Sequence, residues 1–164
     1  MLNASLANEI KPSRGLDTYK DSAAARNTIL VVEDEAFVRE AACDILEGEG
    51  YCVLRAGNAT EAHEAFHDQQ GTVQLLLSDV VLPGQNGPAL LKALKATHPA
   101  LRAIFISGYP EKTLARYGLT AGQMSYLPKP FSAECLLGKV RQVLESQELH
   151  SQALGSQEEE QVLL

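Results

Sequence analysis

Short, continuous apolar runs alternate along this chain with longer stretches in which apolar positions recur every three or four residues. Thr28 to Val32, TILVV, is β-branched and apolar throughout, which predicts a strand buried on both faces. From about Ala36 to Glu49 the apolar residues Val38, Ala41, Ala42, Ile45 and Leu46 fall on one face of a helix, which Gly48 and Gly50 end. Tyr51 to Ala56 reads as a second strand. Asn58 with Glu61 three residues later resembles a capping box, opening a helix that carries Ala62, Ala65 and Phe66 on one face and stops at Gly71. Val73 to Asp79 is the third strand, again an apolar run, broken afterwards by Pro83, Gly84 and Gly87. Pro88 to Thr97 predicts a helix with Leu90, Leu91 and Leu94 inward, closed by Pro99. Arg102 to Ile106 is a fourth strand, ending at Ser107 and Gly108. Pro110 to Tyr117 supports a short helix only weakly, because Gly118 and Gly122 follow closely. Met124 to Leu127 is a short fifth strand before Pro128, Lys129 and Pro130, and Ser132 caps a last helix with Leu136, Leu137, Val140, Val143 and Leu144 inward.

Strand and helix thus alternate five times. Strands joined by helical crossovers run parallel in one sheet, with helices on both faces, so the expected class is α/β with a doubly wound, five-stranded parallel sheet. Residues 1–27 are polar, with Pro12 and Gly15 and no sustained period, and are expected to form a flexible arm with at most a helical turn near Asp21 to Arg26. The folded domain is expected over 28–146. Residues 147–164 form a polar tail, either a helical extension or disordered.

Composition narrows the function classes. A net charge of -7 argues against a nucleic-acid surface within the chain, since phosphate binding needs an excess of Lys and Arg. The longest apolar runs are strand-sized, well below the ~20 residues of a spanning helix. The first residues lack a basic start followed by an apolar block, so no secretory signal is expected and a cytoplasmic location is. Cys43, Cys52 and Cys135 are widely spaced, form no CxxC and are expected to be buried, reduced thiols.

The chemistry lies at the strand ends. In an open parallel sheet the ligand site lies at the C-terminal ends of the strands, where strand order reverses. There the first strand delivers Glu33 and Asp34, the third Asp79, the fourth Ser107, and the fifth ends just before Lys129. Three carboxylates at close range stay ionised only against positive charge, and one ammonium is not enough. A hard divalent cation with oxygen ligands completes the balance. Mg²⁺ fits, whereas Zn²⁺ is disfavoured because no His or Cys lies at these ends. A carboxylate beside Mg²⁺, a Lys and a hydroxyl can accept a phosphoryl group as an aspartyl-phosphate. Plainer roles are available for each residue: Glu33 and Asp34 as N-cap and first-turn acids of the next helix, Asp79 as a turn cap, Ser107 and Lys129 as ordinary loop residues and Tyr126 as core.

The motifs VVEDE, LLLSDVVLPGQNG, FISGYP and YLPKPF, in this order over about Thr28 to Ser146, resemble the receiver domain of two-component response regulators, the family of the chemotaxis response regulator. The stretch GYPEKTLARYG is similar to receivers of hybrid sensor histidine kinases. The resemblance implies a flavodoxin-like strand order 2-1-3-4-5 and Asp79 as phosphoacceptor. It implies Mg²⁺ held by Asp34 and Asp79, by Glu33 through water and by the backbone carbonyl of Val81. It implies that Ser107 and Lys129 bind the phosphoryl group and that Tyr126 holds an aromatic switch position. The partners implied are a sensor histidine kinase or a histidine phosphotransfer protein and a downstream protein, with no membrane and no nucleic acid. The domain would catalyse only its own phosphorylation and dephosphorylation, as a stand-alone protein or a piece of a hybrid kinase. No helix-turn-helix follows Leu144, so output is expected through protein contacts or onward phosphotransfer. Two alternatives stand beside this: a pseudo-receiver that is never phosphorylated, and a haloacid-dehalogenase-like phosphatase. The phosphatase would want a second Asp where Val81 stands.

Overall fold

The computed structural model describes residues 27–69, 72–119 and 125–158. The expected N-terminal arm up to residue 26, the stop at Gly71, Gly122, Met124 and the last residues of the tail lie outside them. The elements run β1 (Thr28–Val32), α1 (Ala36–Gly48), β2 (Cys52–Ala56), α2 (Ala59–Asp68), β3 (Val73–Asp79), α3 (Gly87–Lys95), β4 (Arg102–Ser107), a 3-10 helix (Glu111–Tyr117), β5 (Ser125–Pro128) and α4 (Ala133–Glu158). All strand pairs are parallel and the sheet order is β2-β1-β3-β4-β5.

The continuous apolar strands are explained by what lies on either side of them. Leu30, Val32, Leu76 and Phe105 face a core shared with Ala62 and Phe66 of α2 and Leu90 and Leu94 of α3. Ile29, Val31, Leu75, Leu77, Ile104 and Ile106 face the opposite core, built with Ala42, Cys43 and Leu46 of α1 and Leu136, Val140 and Leu144 of α4. Ile29 to Val32 are each 0% exposed. Burying such a side chain contributes about 1.5–3 kcal/mol, so the central strands anchor the domain and hold their ends in place.

Local chemistry sets the helix starts. The Asn58 side chain accepts from the Glu61 N–H, and Glu61 Oε2 reaches back to the Gly57 N–H at 2.6 Å, one residue before the cap. Asn86 caps α3 by accepting from the Ala89 N–H. Ser132 Oγ accepts from Cys135 N–H at the start of α4. At α1 the cap is Glu35, with no side-chain bond of its own, and not Glu33 or Asp34. Glu33 still serves that helix end, since its Oε1 accepts from Glu35 N–H at 3.2 Å.

The weakly supported short helix of the β4–β5 crossover forms as a 3-10 helix and closes at Gly118 with φ +79. Two expectations are corrected. Ala41 is exposed, and Cys43 takes the buried position on α1 instead. Cys43 is the buried thiol, whereas Cys52 at the start of edge strand β2 and Cys135 in the first turn of α4 are exposed. Burial pushes the Cys43 thiol up to about 11, so it is covered and protonated. At about pH 8 an alkylating reagent is therefore expected to modify Cys52 and Cys135 and spare Cys43 in the folded protein. Mass mapping that found Cys43 alkylated as fast as the other two would contradict this packing.

Candidate functional site

The sheet register brings the strand ends level. Val32 lies opposite Ser78, Asp79 opposite Ile106, and Ser107 opposite Pro128. Residues at or just past those positions therefore meet at one edge, beside the β1–β3 gap where strand order reverses. Backbone bonds tie the loops together there. Glu33 N–H donates to the Ala56 carbonyl at 3.1 Å, Val80 N–H to Ile106 at 3.0 Å, and Lys129 N–H to Ser107 at 2.9 Å.

Glu33 is buried at 1% exposure, Asp79 is buried and Asp34 is exposed. Carboxylate oxygens of all three lie within 4.8 Å of one another. Asp79 Oδ1 accepts from Val81 N–H at 2.9 Å, and Oδ2 accepts from Lys129 Nζ at 2.6 Å. The same ammonium stands 2.6 Å from Glu33 Oε2. Its donor geometry favours Asp79, which leaves Glu33 Oε2 in charge contact with Lys129 but without a well-directed hydrogen bond.

Burial pushes the Glu33 carboxyl above its ordinary range and the Asp79 charge adds to this, while the Lys129 contact and the Glu35 N–H pull back less strongly. For Lys129, burial works to lower the value, but the hydrogen bond to Asp79 and the close charge contact with Glu33 together outweigh it, and the ammonium is held above its usual range. The centre is thus a half-buried cation shared between two buried carboxylates, with a third carboxylate open to solvent.

This donor set fits Mg²⁺. It consists of hard oxygens, it carries more negative than positive charge, and it contains a buried carboxylate oxygen that lacks a directed donor. Glu33, Asp34 and Asp79 offer side-chain ligands, and Val81 stands in the turn that already binds Asp79 through its N–H.

Ser107 is buried at 1% exposure, and its Oγ accepts from Tyr109 N–H at 3.0 Å. Tyr126 is half-buried, and its hydroxyl is shared between the carbonyls of Tyr109 at 2.8 Å and Ser107 at 3.3 Å. The ring is thereby tied to the loop that carries Ser107.

Two residues escaped the sequence reading. Arg39 Nη1 donates to the Glu33 carbonyl at 2.7 Å and so fixes the turn that aims Glu33 and Asp34. Its signal was faint, because a charged residue on the outer face of α1 looks like any solvated one. Gly87, the first residue of α3, packs so closely that a Cβ there would lie 2.3 Å from the Asp79 carbonyl. Only the motif's Gly spacing hinted at it.

Residues 29–141 match the family model described as the response regulator receiver domain. Over 121 residues the chain is 41% identical to the sensor kinase CckA of Brucella abortus, covering 74% of this chain and 13% of that protein. It is 34% identical over 118 residues to the transcriptional regulatory protein CpxR of Escherichia coli K12, covering 72% of this chain and 49% of the relative. The chain therefore spans less than half the length of these curated relatives. Among solved structures, the receiver domain from the hybrid histidine kinase CckA is similar at 37% identity and a TM-score of 0.61, covering 72% of this chain and 99% of that one.

Proposed function

This chain belongs to the response regulator receiver family, and from that premise we propose that it accepts a phosphoryl group from a phosphohistidine onto Asp79 in a Mg²⁺-dependent reaction. The observation that carries the reading is the pairing of a buried Asp79 with Lys129 at 2.6 Å inside a three-carboxylate cluster. A pseudo-receiver has no need of this arrangement. The phosphatase reading is weakened because the position two residues after Asp79 is Val81.

An Asp79 carboxylate oxygen attacks phosphorus. The new O–P bond forms as the N–P bond to the donor imidazole breaks, and the imidazole leaves with the electron pair and takes a proton from water. Bound Mg²⁺ supplies positive charge to the carboxylates and to the phosphoryl oxygens, with Glu33, Asp34, Asp79 and the Val81 carbonyl as the groups that would hold it. Val81 N–H and Lys129 orient the acceptor in advance. Lys129 then ion-pairs with the phosphoryl group, and the Ser107 hydroxyl exchanges its bond from Tyr109 for one to phosphate. That exchange would loosen the loop to which Tyr126 is tied, changing the surface around β4 and β5. The chain is the acceptor rather than a turnover enzyme, and output runs through protein contacts or onward phosphotransfer. The reading carries with it a cytoplasmic location. Among the described residues no helix is long and apolar enough to cross a membrane. It also takes 28–146 as the signalling unit, with the helix beyond Ser146 as the start of the tail.

The large exposed apolar residues point to where a protein donor would sit. Phe37 at 82%, Tyr109 at 51% and Val81 at 37% stand in the segments that follow β1, β4 and β3, whose ends carry the acidic site. A protein donor that brings its phosphohistidine to Asp79 would meet these segments. The test is transfer of labelled phosphate from a phosphorylated histidine kinase or phosphotransfer protein. Label is expected on this chain, and removal of divalent cations is expected to stop the transfer. Phe37→Ala is expected to slow transfer from the protein donor on the order of tenfold, as for an interface aromatic whose truncation costs more than about 1 kcal/mol, without slowing labelling by a small phosphodonor. Equal slowing with both donors would argue against a docking role, and no labelling by any donor would overturn the reading.

A further inference from the structure

Asp34 is the least supported member of the acidic edge. It is exposed, and no other described residue holds its carboxylate by a hydrogen bond or an ion pair. Only its backbone can aim it. The peptide unit that joins Glu33 to Asp34 begins with the Glu33 carbonyl, and that oxygen accepts from Arg39 Nη1 at 2.7 Å. The peptide unit before it is held as well, because Glu33 N–H donates to the Ala56 carbonyl at 3.1 Å. That carbonyl is braced in turn, since the N–H of the same peptide unit, on Gly57, donates to Glu61 Oε2 at 2.6 Å. Arg39 can reach the turn because it lies in the first turn of α1, where side chains lean back toward the helix N-terminus. Gly57 leaves it room: a Cβ there would stand 3.2 Å from Arg39 Nη1 and 3.3 Å from Glu61 Oε2. We propose that Arg39 is a positioning residue for the acidic edge. By locking the Glu33–Asp34 peptide it sets how tightly a divalent cation is held, without touching the ion.

This role of Arg39 rests on the reading of the edge as a Mg²⁺ site, and it carries a sign that charge alone would not give. A guanidinium this close to the carboxylates repels a metal ion, so as a mere charge its removal would tighten binding. As a positioning group its removal frees the peptide to turn. Asp34 then spends less time within reach of the ion, and binding weakens. The bond is suited to the task. Its donor is charged, which makes it stronger than a neutral pair, and the Arg39 side chain is only 19% exposed, so water competes for it weakly. The second contact of the guanidinium, Nε at 3.6 Å from Glu40 Oε1, holds the fork from its outer side. The α1 and α2 helix starts thus grip the β1 end from two directions, through Arg39 and through Glu61.

The experiment is a Mg²⁺ titration by calorimetry on the full-length wild type, Arg39→Met and Arg39→Lys, with circular dichroism to confirm folding. Arg39→Met removes the donor and is expected to weaken binding about tenfold, the lower end of what loss of an outer-shell partner costs. Arg39→Lys keeps the charge but has a shorter reach and no planar fork, and is expected to weaken binding about threefold. Should Arg39→Met not fold, Arg39→Lys carries the test. Binding as tight as in the wild type, or tighter, would overturn the positioning role and leave the metal site standing. No Mg²⁺ binding by the wild type would overturn the metal reading, and the positioning role with it. A second readout needs no metal. Hydrogen exchange of the Glu33 amide is expected to speed up about tenfold in Arg39→Met, while the amides of Leu30 and Leu76 exchange as in the wild type. Equal acceleration of all three would mean a general loss of stability and would overturn the proposal.

Discussion

Asp79→Asn is expected to abolish phosphate uptake while leaving the fold intact. The amide is nearly isosteric, and its oxygen can still accept from Val81 N–H, now held at 2.9 Å. What is lost is the charged nucleophile and one of the two carboxylates on Lys129. An amide oxygen does not attack phosphorus at a useful rate, so no partial activity is expected. With Mg²⁺ and a small phosphodonor the wild type is expected to gain the mass of one phosphate, and the variant none. Lys129 keeps Glu33 as an ionic partner, so the buried ammonium is not left alone. The thermal midpoint is therefore expected to stay within about 5 °C, the shift that roughly 1 kcal/mol produces in a domain of this size. If the variant gained phosphate as the wild type does, the acceptor would be another residue, and peptide mapping would identify it.

Among the described glycines, Gly87→Ala is expected to be the most damaging alanine substitution. The new Cβ would lie 2.3 Å from the Asp79 carbonyl oxygen, 2.9 Å from Ser78 Oγ and 3.2 Å from the Phe105 ring. None of these can yield easily. The carbonyl belongs to β3 and accepts from Ser78 Oγ at 2.8 Å, and Phe105 is wholly buried. Relief requires α3 to back away from the sheet, against the Gly87 N–H bond to Val80 at 3.0 Å. Overpacking of this kind costs about 3 kcal/mol, at the upper end of its usual range. That corresponds to a fall of roughly 15 °C in Tm. Asp79 is part of the obstructed strand end, so phosphate uptake is expected to fall with stability. Gly48→Ala is the control, because its Cβ would meet nothing within 4 Å and Ala suits a helix better. Equal stability of the two variants in a denaturant melt would show that α3 has room to move.

Some of this was legible because its cause is local. Asn58 and Glu61 are three residues apart, and their capping bonds form within the five residues from Gly57 to Glu61. TILVV and VQLLLSD are almost unbroken apolar runs because helices cover both sides of the sheet, so buried parallel strands could be read from them directly. The β4–β5 crossover was harder to read. Glu111–Tyr117 sends Leu114 and the partly buried Tyr117 to the core, and two apolar contacts do not define a helical period. The cysteines misled for a related reason. Cys52 and Cys135 sit in apolar contexts, but one opens an edge strand and the other points outward from the first turn of α4.

By itself, the sequence determined the class of the fold, the order of its elements and the types of residue that arrive at the strand ends. Periodicity and capping act over a few residues, and chain connectivity then forces the strands to be parallel. The contacts among those ends were decided only by tertiary structure. Glu33 and Lys129 are far apart in the chain, and their 2.6 Å contact exists because β1, β3, β4 and β5 end level in one register. The same register makes Gly87 irreplaceable, because the oxygen that excludes a methyl group belongs to another element. A sequence pattern can indicate which face of an element is apolar. It cannot state how closely two elements approach, since that distance is set by the packing of every side chain between them.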